Sequence, residues 1–382
     1  MKRTLLVDTN RAAVPIYRAL CDLGHEVWVV GAKPGETLAK LASNYTQIDY
    51  SDTRLLADFV EEKAFDYLVP GCTDISYLAC AEINRGRFPC IDKPSTTKRI
   101  NNKQLFRELA EDIGLPVPRK LSQEQAIETE AVMVKPIDSF SGQGISLLHR
   151  ATRRQLDQAW DRALQASASG RGIIEEFVTG QLFSHSAFIL AGKVVADFIV
   201  QEDSSVNPFA VDLSRVAEAF PQDMLESLRS GLGRLCSELE LSDGLIHTQF
   251  ISDGEEYWII EATRRCPGDI YAMLIELTTG YAYAANYVAP FIGGFPEPVK
   301  HNARFERITR HTVTSKQGSA LWGYQFSAPV DIRLFVPLAT SGDYIQPSPY
   351  GRAGIFFFHS TSKTSQEKLY QSILDRTLYS IN

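Results

Sequence analysis

The chain has 382 residues, 44% of them hydrophobic and 22% charged, and its net charge at pH 7 is −7. This length exceeds one ordinary core, so we expect two or three packed domains, and the composition is that of a globular protein. A net negative chain argues against a protein that coats nucleic acid, which needs a basic stripe. A local pocket can still bind a single anionic nucleotide.

The six cysteines show no CxxC spacing and no histidine pattern that would chelate zinc, so we expect reduced thiols in a reducing compartment. The first ten residues, MKRTLLVDTN, hold too short an apolar run for a signal peptide. No segment reaches the roughly 18 apolar residues that span a bilayer. We therefore expect a cytoplasmic protein with no membrane partner.

The first ninety or so residues alternate between apolar strands and amphipathic helices. RTLLVD, HEVWVVG and DYLVPG are predicted as the first three strands, with helices around 53–63 and from about Ile75 to Asn84. Such alternation with short connections predicts a parallel sheet with crossover helices. The first strand is not followed by GxGxxG, so a dinucleotide fingerprint is absent. We assign residues 1–93 to this N-terminal α/β domain.

A second pattern begins near Pro94. NNKQLFRELAEDIG predicts a helix capped by Asn101 or Asn102, and small α+β elements follow it: strands VMVK, GISLLH and GIIEEFV around a helix over 152–166. We assign residues 94–300 to one domain, with a smaller subdomain at about 118–178. Residues 301–382 are predicted to be a β-rich part that completes the large domain.

The segment VMVKPIDSFSGQGISLLH has Lys135 at the end of a strand, before a loop rich in serine and glycine. Such a loop exposes backbone N–H groups to an anion, together with the hydroxyls of Ser139 and Ser141. The lysine can neutralise a phosphate oxygen as a point charge. The alternative is an ordinary hairpin with a solvated lysine.

The segment IIEEFVTGQ is an apolar strand that ends in two acids and an aromatic ring. Backbone groups at such a strand end can pair with the edge of an adenine while Phe177 covers its face. The alternative is an edge strand with solvated glutamates.

The segment LIHTQFISDGEEYWIIEATRRCPGD predicts two antiparallel strands that bring Gln249 and Glu261 to one pocket. A carboxylate after the apolar run YWII is expected to be paired, since burying a lone charge costs about several kcal/mol. Mg²⁺ accepts oxygen ligands of this kind. Arg264 and Arg265 follow in the sequence, and their guanidinium groups can bind a phosphate or a carboxylate through two parallel hydrogen bonds. The alternative is a structural Glu–Arg pair.

These motifs, in this order and preceded by PGCTD and NNKQLFRELAEDIGLPVP, resemble the ATP-grasp superfamily, which includes D-alanine–D-alanine ligase, biotin carboxylase and purine-pathway ligases. The resemblance covers about residues 1–295. It implies an α/β and α+β fold in which a parallel-sheet domain precedes the ATP-grasp domain. The nucleotide then lies between two α+β subdomains, of which the smaller is a lid.

The resemblance also implies roles for single residues. Lys103 falls where the superfamily keeps a lysine for the α-phosphate, and Lys135 where a lysine reaches the α- and β-phosphates. Glu261 matches the metal-binding glutamate, with Gln249 as its partner, and Arg265 matches the arginine that steadies the acyl phosphate. The glycine-rich lid corresponds to 138–144, including Gly142 and Gly144, and the adenine-binding hinge to Glu175, Glu176, Phe177 and Val178.

Three positions depart from the superfamily pattern. Leu182, beside Gln181, stands near the place of the acid that binds the ribose hydroxyls. Gln249 replaces the first metal-binding acid, and Thr263 replaces the asparagine after the second. The last two changes remove charge and geometry from a two-metal site, for which Asp243, Asp253 or a substrate group could compensate.

The implied activity is that of an ADP-forming ligase that uses ATP and Mg²⁺ to activate a carboxylate as an acyl phosphate, which an amine then attacks. We expect a small acid such as an amino acid, no nucleic-acid partner, and leave a homodimer open. Two alternatives remain: a carboxylase-like enzyme that phosphorylates bicarbonate, and a non-catalytic ATP-binding module. The candidate specificity residues are Asp8, Asn10, Arg11, Cys72, Thr73, Asp74, His247, Arg264, Arg310 and Arg352.

Overall fold

The structure, a computed structural model, describes residues 1–138, 142–300 and 304–381. The N-terminal part is a four-stranded parallel sheet with crossover helices, as predicted. Its elements are β1 Arg3–Val7, α1 Val14–Asp22, β2 Glu26–Gly31, α2 Thr37–Leu41, β3 Asn44–Gln47, α3 Thr53–Lys63, β4 Tyr67–Pro70 and α4 Asp74–Ile83, with a 3₁₀ turn at Arg11–Ala13.

The strand order of this sheet is β3-β2-β1-β4. The prediction of three strands was wrong by one, because β3 (NYTQ) carries no apolar run and is polar along most of its length. The segment DYLVPG is therefore the fourth strand. The strands β1 and β4 are neighbours and largely buried, with β4 at the edge of the sheet, so the residues that follow them, Asp8 and Cys72, meet beyond their carboxyl ends.

The middle of the chain forms a three-stranded antiparallel sheet of order β6-β5-β7 covered by a helix. The strands and the helix over 152–166 match the prediction, whereas the helix α5 was not predicted. Asn102, not Asn101, caps α6, through its side-chain oxygen. The elements are α5 Pro94–Asn101, α6 Lys103–Asp112, α7 Gln123–Glu128, β5 Ala131–Pro136, β6 Ser146–His149, α8 Arg153–Ala166 and β7 Gly172–Glu176.

An eight-stranded antiparallel sheet of order β12-β11-β8-β9-β10-β13-β18-β16 forms the centre of the molecule. Its elements are β8 Gln181–Leu190, β9 Lys193–Asp203, β10 Leu213–Val216, α9 Gln222–Leu239, β11 Gly244–Ser252, β12 Tyr257–Thr263, α10 Tyr271–Thr279, α11 Tyr283–Val288, β13 Arg307–Val313, β14 Ser319–Ala320, β15 Gln325–Phe326, β16 Asp331–Pro337, β17 Tyr344–Ile345, β18 Gly354–Ser360, α12 Lys363–Leu374 and β19 Tyr379–Ser380, with a 3₁₀ turn at Ala289–Ile292.

The two faces of this sheet differ in chemistry. One face packs an apolar layer against α6 and α9, with Phe250 and Leu232 fully buried there. The other face is polar at β11, β8 and β10 and packs against α10 and α11. The C-terminal strands β13, β16 and β18 are hydrogen-bonded into the same sheet as the strands before residue 300. The exact domain boundaries stay a prediction.

All six cysteines are free thiols, four of them buried. None of the described helices has both the length and the apolar character needed to cross a lipid bilayer.

The imidazole of His311 provides a pH test of the C-terminal core. The ring is 1% exposed, with Nδ1 3.0 Å from the carbonyl oxygen of Asp212 and Nε2 2.5 Å from the hydroxyl of Tyr379. Burial lowers the pKa of His311 to about 4, against the opposing charge of Asp212. The unfolded chain, with a histidine pKa of about 6.5, therefore binds a proton that the folded chain excludes between these two pH values.

We expect the free energy of unfolding to fall by about 2 kcal/mol between pH 7 and pH 5 because of this residue alone. The His311→Gln variant should lack this part of the pH dependence in urea unfolding curves. His149→Gln, at an exposed ring, should keep it. Equal pH slopes for wild type and His311→Gln would contradict the assignment.

Candidate active site

A buried carboxylate lies between two cations where the small sheet meets α6 and the large sheet, a region called the cleft below. Glu175 on β7 is 1% exposed; its Oε1 lies 2.6 Å from Nε of Arg107, and its Oε2 pairs with the ammonium of Lys135. Burial would raise the pKa of Glu175, but the charges of Lys135 and Arg107 outweigh it and hold that pKa below its usual value. Two cations for one anion leave a net positive charge in this region.

Arg107 was missed by sequence reasoning, although it lies one turn after Lys103 on α6. A β-bulge in β12 opposite Gln249 and Phe250 releases the carbonyl of Ile260, which accepts a 2.7 Å hydrogen bond from Nη2 of Arg107. Its Nη1 has no hydrogen-bond partner among the described residues. The signal in the sequence, an arginine on the otherwise apolar face of α6, points to a buried charge.

Lys103 and Lys135 come together although 32 residues separate them. The backbone N–H of Lys103, at the first turn of α6, donates a 3.2 Å hydrogen bond to the carbonyl of Ile137, just after β5. Burial lowers the pKa of Lys135, Arg107 and Lys103 add to the lowering, and Glu175 opposes it. The two predicted phosphate lysines therefore lie near the same cleft.

Arg265 is held by an acid from the N-terminal sheet. Its Nε lies 2.9 Å from Oδ1 of Asp74, at the start of α4, and the hydroxyl of Thr263 donates to the same oxygen at 2.9 Å. Burial would raise the pKa of Asp74, but Arg265 and Thr263 outweigh it, with a smaller contribution from Lys103. Thr263, in the place of the superfamily asparagine, thus orients the acid that orients Arg265.

The predicted metal-binding pair is directly opposed across two strands. Gln249 on β11 and Glu261 on β12 are Cα partners in the antiparallel register. Glu261 is exposed, so the expectation of a buried carboxylate is corrected, and its charge acts on Arg265, whose pKa it helps to raise. Among the described residues, no three His, Cys, Asp or Glu side chains are grouped to hold a metal, and the pair supplies one carboxylate and one amide.

A second carboxylate faces this pair and was not predicted. Glu202 on β9 is 4% exposed, and its Oε2 accepts a 2.6 Å hydrogen bond from Nε2 of Gln249. Burial raises the pKa of Glu202 to about 7. Asp243 and Asp253, proposed from sequence as compensating acids, instead accept backbone N–H groups in turns, from Ala191 and Glu255 respectively. In KVVADFIVQED, Glu202 is two and four residues after the buried Val200 and Phe198, so it points to the same face of the strand. This alternation was the signal that the sequence analysis missed.

The predicted adenine hinge continues from Glu175 past the end of β7. The N–H groups of Glu176 and Phe177 are already donated to the carbonyls of Arg119 and Ala131, and Glu176 forms an exposed ion pair with Arg119 at 3.0 Å. Among the N–H groups of the predicted adenine hinge, that of Val178 therefore remains as the candidate donor.

The backbone conformation and close neighbours of Gly142 and Gly144 leave no room for a side chain. Gly142 and Gly144 both have φ of +73°. A Cβ on Gly142 would lie 2.6 Å from the carbonyl oxygen of Phe209, and a Cβ on Gly144 would lie 2.4 Å from Cβ of Ala166. Ser139 and Ser141 lie outside the described residues. Gly142 is thus packed against the loop that leads to β10, and Gly144 against α8.

Two tentative substrate residues are directed into the protein. Arg264 has a 2% exposed side chain that pairs with Asp92 at 2.7 Å and donates to the carbonyl of Leu245 at 2.6 Å, so the prediction that it contacts substrate is corrected to a structural role. His247 is 7% exposed, with Nδ1 2.9 Å from the hydroxyl of Ser186. This environment is that of a histidine in the protein core.

A group of arginines lies around Asp269, beyond β1. Nη1 of Arg310 donates to the carbonyl oxygen of Asp269 at 2.9 Å, and Arg352 pairs with its carboxylate. Burial lowers the pKa of Arg11, Asp269 opposes this and Arg352 adds to it, so the third arginine lies near the other two. Asp269 adopts a left-handed backbone with φ of 54°. Glu36 also acts on Arg11, so three guanidinium groups face two carboxylates and one positive charge is in excess.

No protein-family model matches the chain. Formate-dependent phosphoribosylglycinamide formyltransferase of Mannheimia succiniciproducens is 31% identical over 187 residues, which are 46% of this chain and 47% of that protein. The same-named protein of Pasteurella multocida is also 31% identical over 187 residues. The chain thus matches about half the length of these curated relatives.

Solved structures match over the whole chain. L-amino acid ligase from Bacillus licheniformis superposes with a TM-score of 0.79 and 16% identity, over 99% of this chain and 98% of that one. Phosphoribosylglycinamide synthetase from Anaerococcus prevotii gives 0.77 and 16%, over 100% and 99%. The biotin carboxylase domain of Hydrogenobacter thermophilus gives 0.75 and 15%, over 100% and 90%.

These structures share the ATP-grasp fold, and the chain has that fold. The resemblance drawn from its motifs is confirmed, as is the expectation of an N-terminal parallel sheet. Sequence identities of about 16% establish the fold alone, so substrates and activity are argued separately below.

The Glu175 cluster predicts a large effect of a small substitution. Glu175→Gln keeps the shape but leaves Arg107 and Lys135 buried without a counter-charge, so the free energy of unfolding should fall by about 3–5 kcal/mol in guanidinium titrations. Glu176→Gln, which breaks an exposed pair next to it, should cost less than about 1 kcal/mol. Adding Lys135→Met to Glu175→Gln should recover stability. Equal losses in the two single variants would contradict the charge cluster.

Proposed function

We propose that this chain is an ADP-forming ligase that uses ATP and Mg²⁺ to join a small carboxylic acid to an amine through an acyl phosphate. The observation that carries the proposal is the convergence of Lys103, Lys135 and Arg265 from separate segments on one cleft. The protein as a whole carries a charge of −7, yet around Glu175 the cations Lys103, Lys135 and Arg107 outnumber the one carboxylate, which favours an anionic ligand such as a triphosphate.

The oxygen atoms on β11 and β12 fit a hard cation. Glu261 and Gln249 offer a carboxylate and an amide oxygen from opposed positions, and Mg²⁺ commonly takes one or two protein oxygens together with water and phosphate oxygens. When bound, Mg²⁺ would offset the charge of the phosphates. That charge matters because a carboxylate 4 Å from one phosphate charge is repelled by about 4 kcal/mol at an effective dielectric of 20.

The residues support a two-step reaction. In the first step a carboxylate oxygen forms a bond to the γ-phosphorus and the bond to the β-phosphate oxygen breaks, so ADP leaves; Lys103 and Lys135 hold the tail in place. In the second step the amine nitrogen attacks the acyl carbon, the bond to the phosphate oxygen breaks, and the nitrogen loses a proton. Arg265, held by Asp74, is positioned to stabilise the charge of the acyl phosphate.

The arginines near Asp269 support an amine substrate that carries an anionic group. Arg11, Arg310 and Arg352 lie beyond the carboxyl end of β1, where open parallel sheets gather ligands. A phosphate or carboxylate there could displace the carboxylate of Asp269 from Arg352. Asp269 would then be released to accept a hydrogen bond from the amine.

The relatives agree with this chemistry. The relatives from Mannheimia and Pasteurella are named for formate and for a phosphoribosylglycinamide, which are a small acid and a phosphate-bearing amine, and a solved neighbour is named as an L-amino acid ligase. The Hydrogenobacter domain was solved as a dimer with MgADP and bicarbonate, which keeps the homodimer and the bicarbonate alternative as proposals. Formate and amino acids are therefore the acids to test first.

The direct test is phosphate release from ATP and Mg²⁺ with a panel of acids (formate, amino acids, bicarbonate) crossed with amines that carry phosphate or carboxylate. We expect release only when an acid and an amine are both present, and mass spectrometry should identify the amide. Lys135→Ala and Glu261→Gln should lower kcat/KM by about 10²–10³-fold. Lys135→Ala should stay folded, because Glu175 retains Arg107.

Lys193→Ala, at the exposed turn between β8 and β9, is the matched control and should keep full activity. Nucleotide binding without release of phosphate under every combination would favour the non-catalytic alternative. Release that depends on bicarbonate without an amine would favour the carboxylase-like one. Full activity of both site variants would overturn the site assignment.

The arginine group makes a separate prediction. Arg352→Gln should raise KM for the anionic amine at least about tenfold with a smaller change in kcat, because a charge-assisted hydrogen bond contributes about 1.5–3 kcal/mol. A neutral analogue of the same amine should show no such effect. Arg333→Gln, on the exposed face of β16, is the control. A similar rise in KM for the neutral analogue would contradict anion binding at Arg352.

A further inference from the structure

Glu202 lies beside the proposed metal-binding pair, on the same face of the large sheet. Its strand β9 pairs with β8, and β8 pairs with β11, so Glu202, Ser184 and Gln249 follow one another across three neighbouring strands. The carboxylate accepts hydrogen bonds from both: Oε2 from Nε2 of Gln249 at 2.6 Å, and Oε1 from the hydroxyl of Ser184 at 2.9 Å. Ser184 is itself 2.6 Å from the hydroxyl of Tyr271.

The hydrogen-bond donors to the buried carboxylate of Glu202 are uncharged side chains. Glu202 is 4% exposed, and within the described ranges it takes part in none of the ion pairs. By contrast, the buried acids Glu175 and Asp92 each contact at least one lysine or arginine, and Asp8 accepts backbone N–H groups. Arg310 acts on Glu202 through its charge but forms no ion pair with it. Buried charges are ordinarily paired or used to bind metal, so this carboxylate points to a closer cation that the described residues do not supply.

The hydrogen bond from Gln249 also determines which end of its amide is available. The amide has one donating and one accepting end, and its NH₂ group is committed to Glu202 on the β8–β9 side. The carbonyl oxygen is left for a ligand on the side of β12, where Glu261 is the opposed residue. A carbonyl oxygen is a suitable ligand for Mg²⁺ or Mn²⁺, whereas an NH₂ group is not.

We propose that Glu202 is a positioning residue for the metal: it orients Gln249 so that its carbonyl oxygen binds the cation, and it supplies the negative charge that Gln249 lacks. The superfamily resemblance places an acid at position 249. In this chain the acid is Glu202, which is hydrogen-bonded to Gln249. The site then holds two carboxylates, Glu261 and Glu202, and one amide. This inference rests on the proposed function, since it requires that the cleft bind a metal–nucleotide complex.

The test measures metal binding rather than turnover. Mn²⁺ is titrated into the full chain with saturating ADP and its free concentration is followed by electron paramagnetic resonance. We expect Glu202→Gln to weaken Mn²⁺ binding by about 10–100-fold, the usual effect of removing a residue that supports a metal ligand. The exchanged variant Gln249→Glu with Glu202→Gln restores a carboxylate–amide pair and should bind Mn²⁺ within about threefold of wild type.

The exchanged variant also protects the test from a folding defect, since it keeps the hydrogen bond between the two side chains. Glu276→Gln is the matched control: it neutralises another shielded carboxylate, which accepts a backbone N–H from Ala284 on α11, and should leave Mn²⁺ binding unchanged. A purely structural role for Glu202 would give stable variants in which the exchange restores no Mn²⁺ affinity.

The outcomes separate this inference from the proposed function. Suppose that wild type binds Mn²⁺ in the presence of ADP and that the Kd of the folded Glu202→Gln variant for Mn²⁺ is within twofold of the wild-type value. Glu202 then has no role in the site and the inference is overturned. If the exchange fails to restore binding, the positioning role is overturned. If wild type takes up no Mn²⁺ even with ADP, the proposed function and the inference both fail.

Discussion

The carboxylate of Glu175, buried between Arg107 and Lys135, is the interaction on which the architecture of the cleft depends. It joins three elements, the helix α6 and the strands β5 and β7, and so attaches the small sheet to the helix that packs on the large one. A buried ion pair contributes little net stability, but removal of one partner leaves an uncompensated charge. The cluster therefore constrains the geometry, and its extra cation leaves the cleft positively charged.

The large sheet separates apolar packing from polar chemistry by the alternation of its strands. Phe183 and Phe250 are stacked on the face toward α9, while their neighbours Ser184 and Gln249 lie on the other face. The polar face carries acids and amides toward Glu261 and a serine–arginine contact between Ser214 and Arg310 at the far end. One sheet thus presents two kinds of ligand group, oxygens near β12 and guanidinium groups near β13.

Connections between distant segments give the site its geometry. Asp74 is the first residue of α4 in the N-terminal part of the chain, yet it holds Arg265, which follows β12. Arg11 likewise follows β1 and lies near Arg352, which is more than three hundred residues later. The N-terminal domain therefore contributes directly to the cleft, in keeping with ligands that gather beyond the carboxyl ends of parallel strands.

Much of the fold was predictable because its signals are local. Apolar periodicity and caps identify β1, α6 and α9, since neither requires knowledge of the rest of the chain. The strand β3 and the helix α5 were missed because their sequences, NYTQ and PSTTKRIN, have little apolar character. They form where hydrogen bonds and packing from neighbouring elements override local preference.

By itself, the sequence determined the fold class and the order of the site motifs, including the opposition of Gln249 and Glu261 across two strands, because strand alternation is a short-range property. Only the tertiary structure decided which charges are partners. Arg264 and Arg265 are adjacent in sequence, yet one is buried against Asp92 and the other faces Asp74 in the cleft. Arg107 and Glu202 became visible for the same reason: the partner of a buried charge is set by contacts between segments far apart in the chain, which spacing along the chain does not encode.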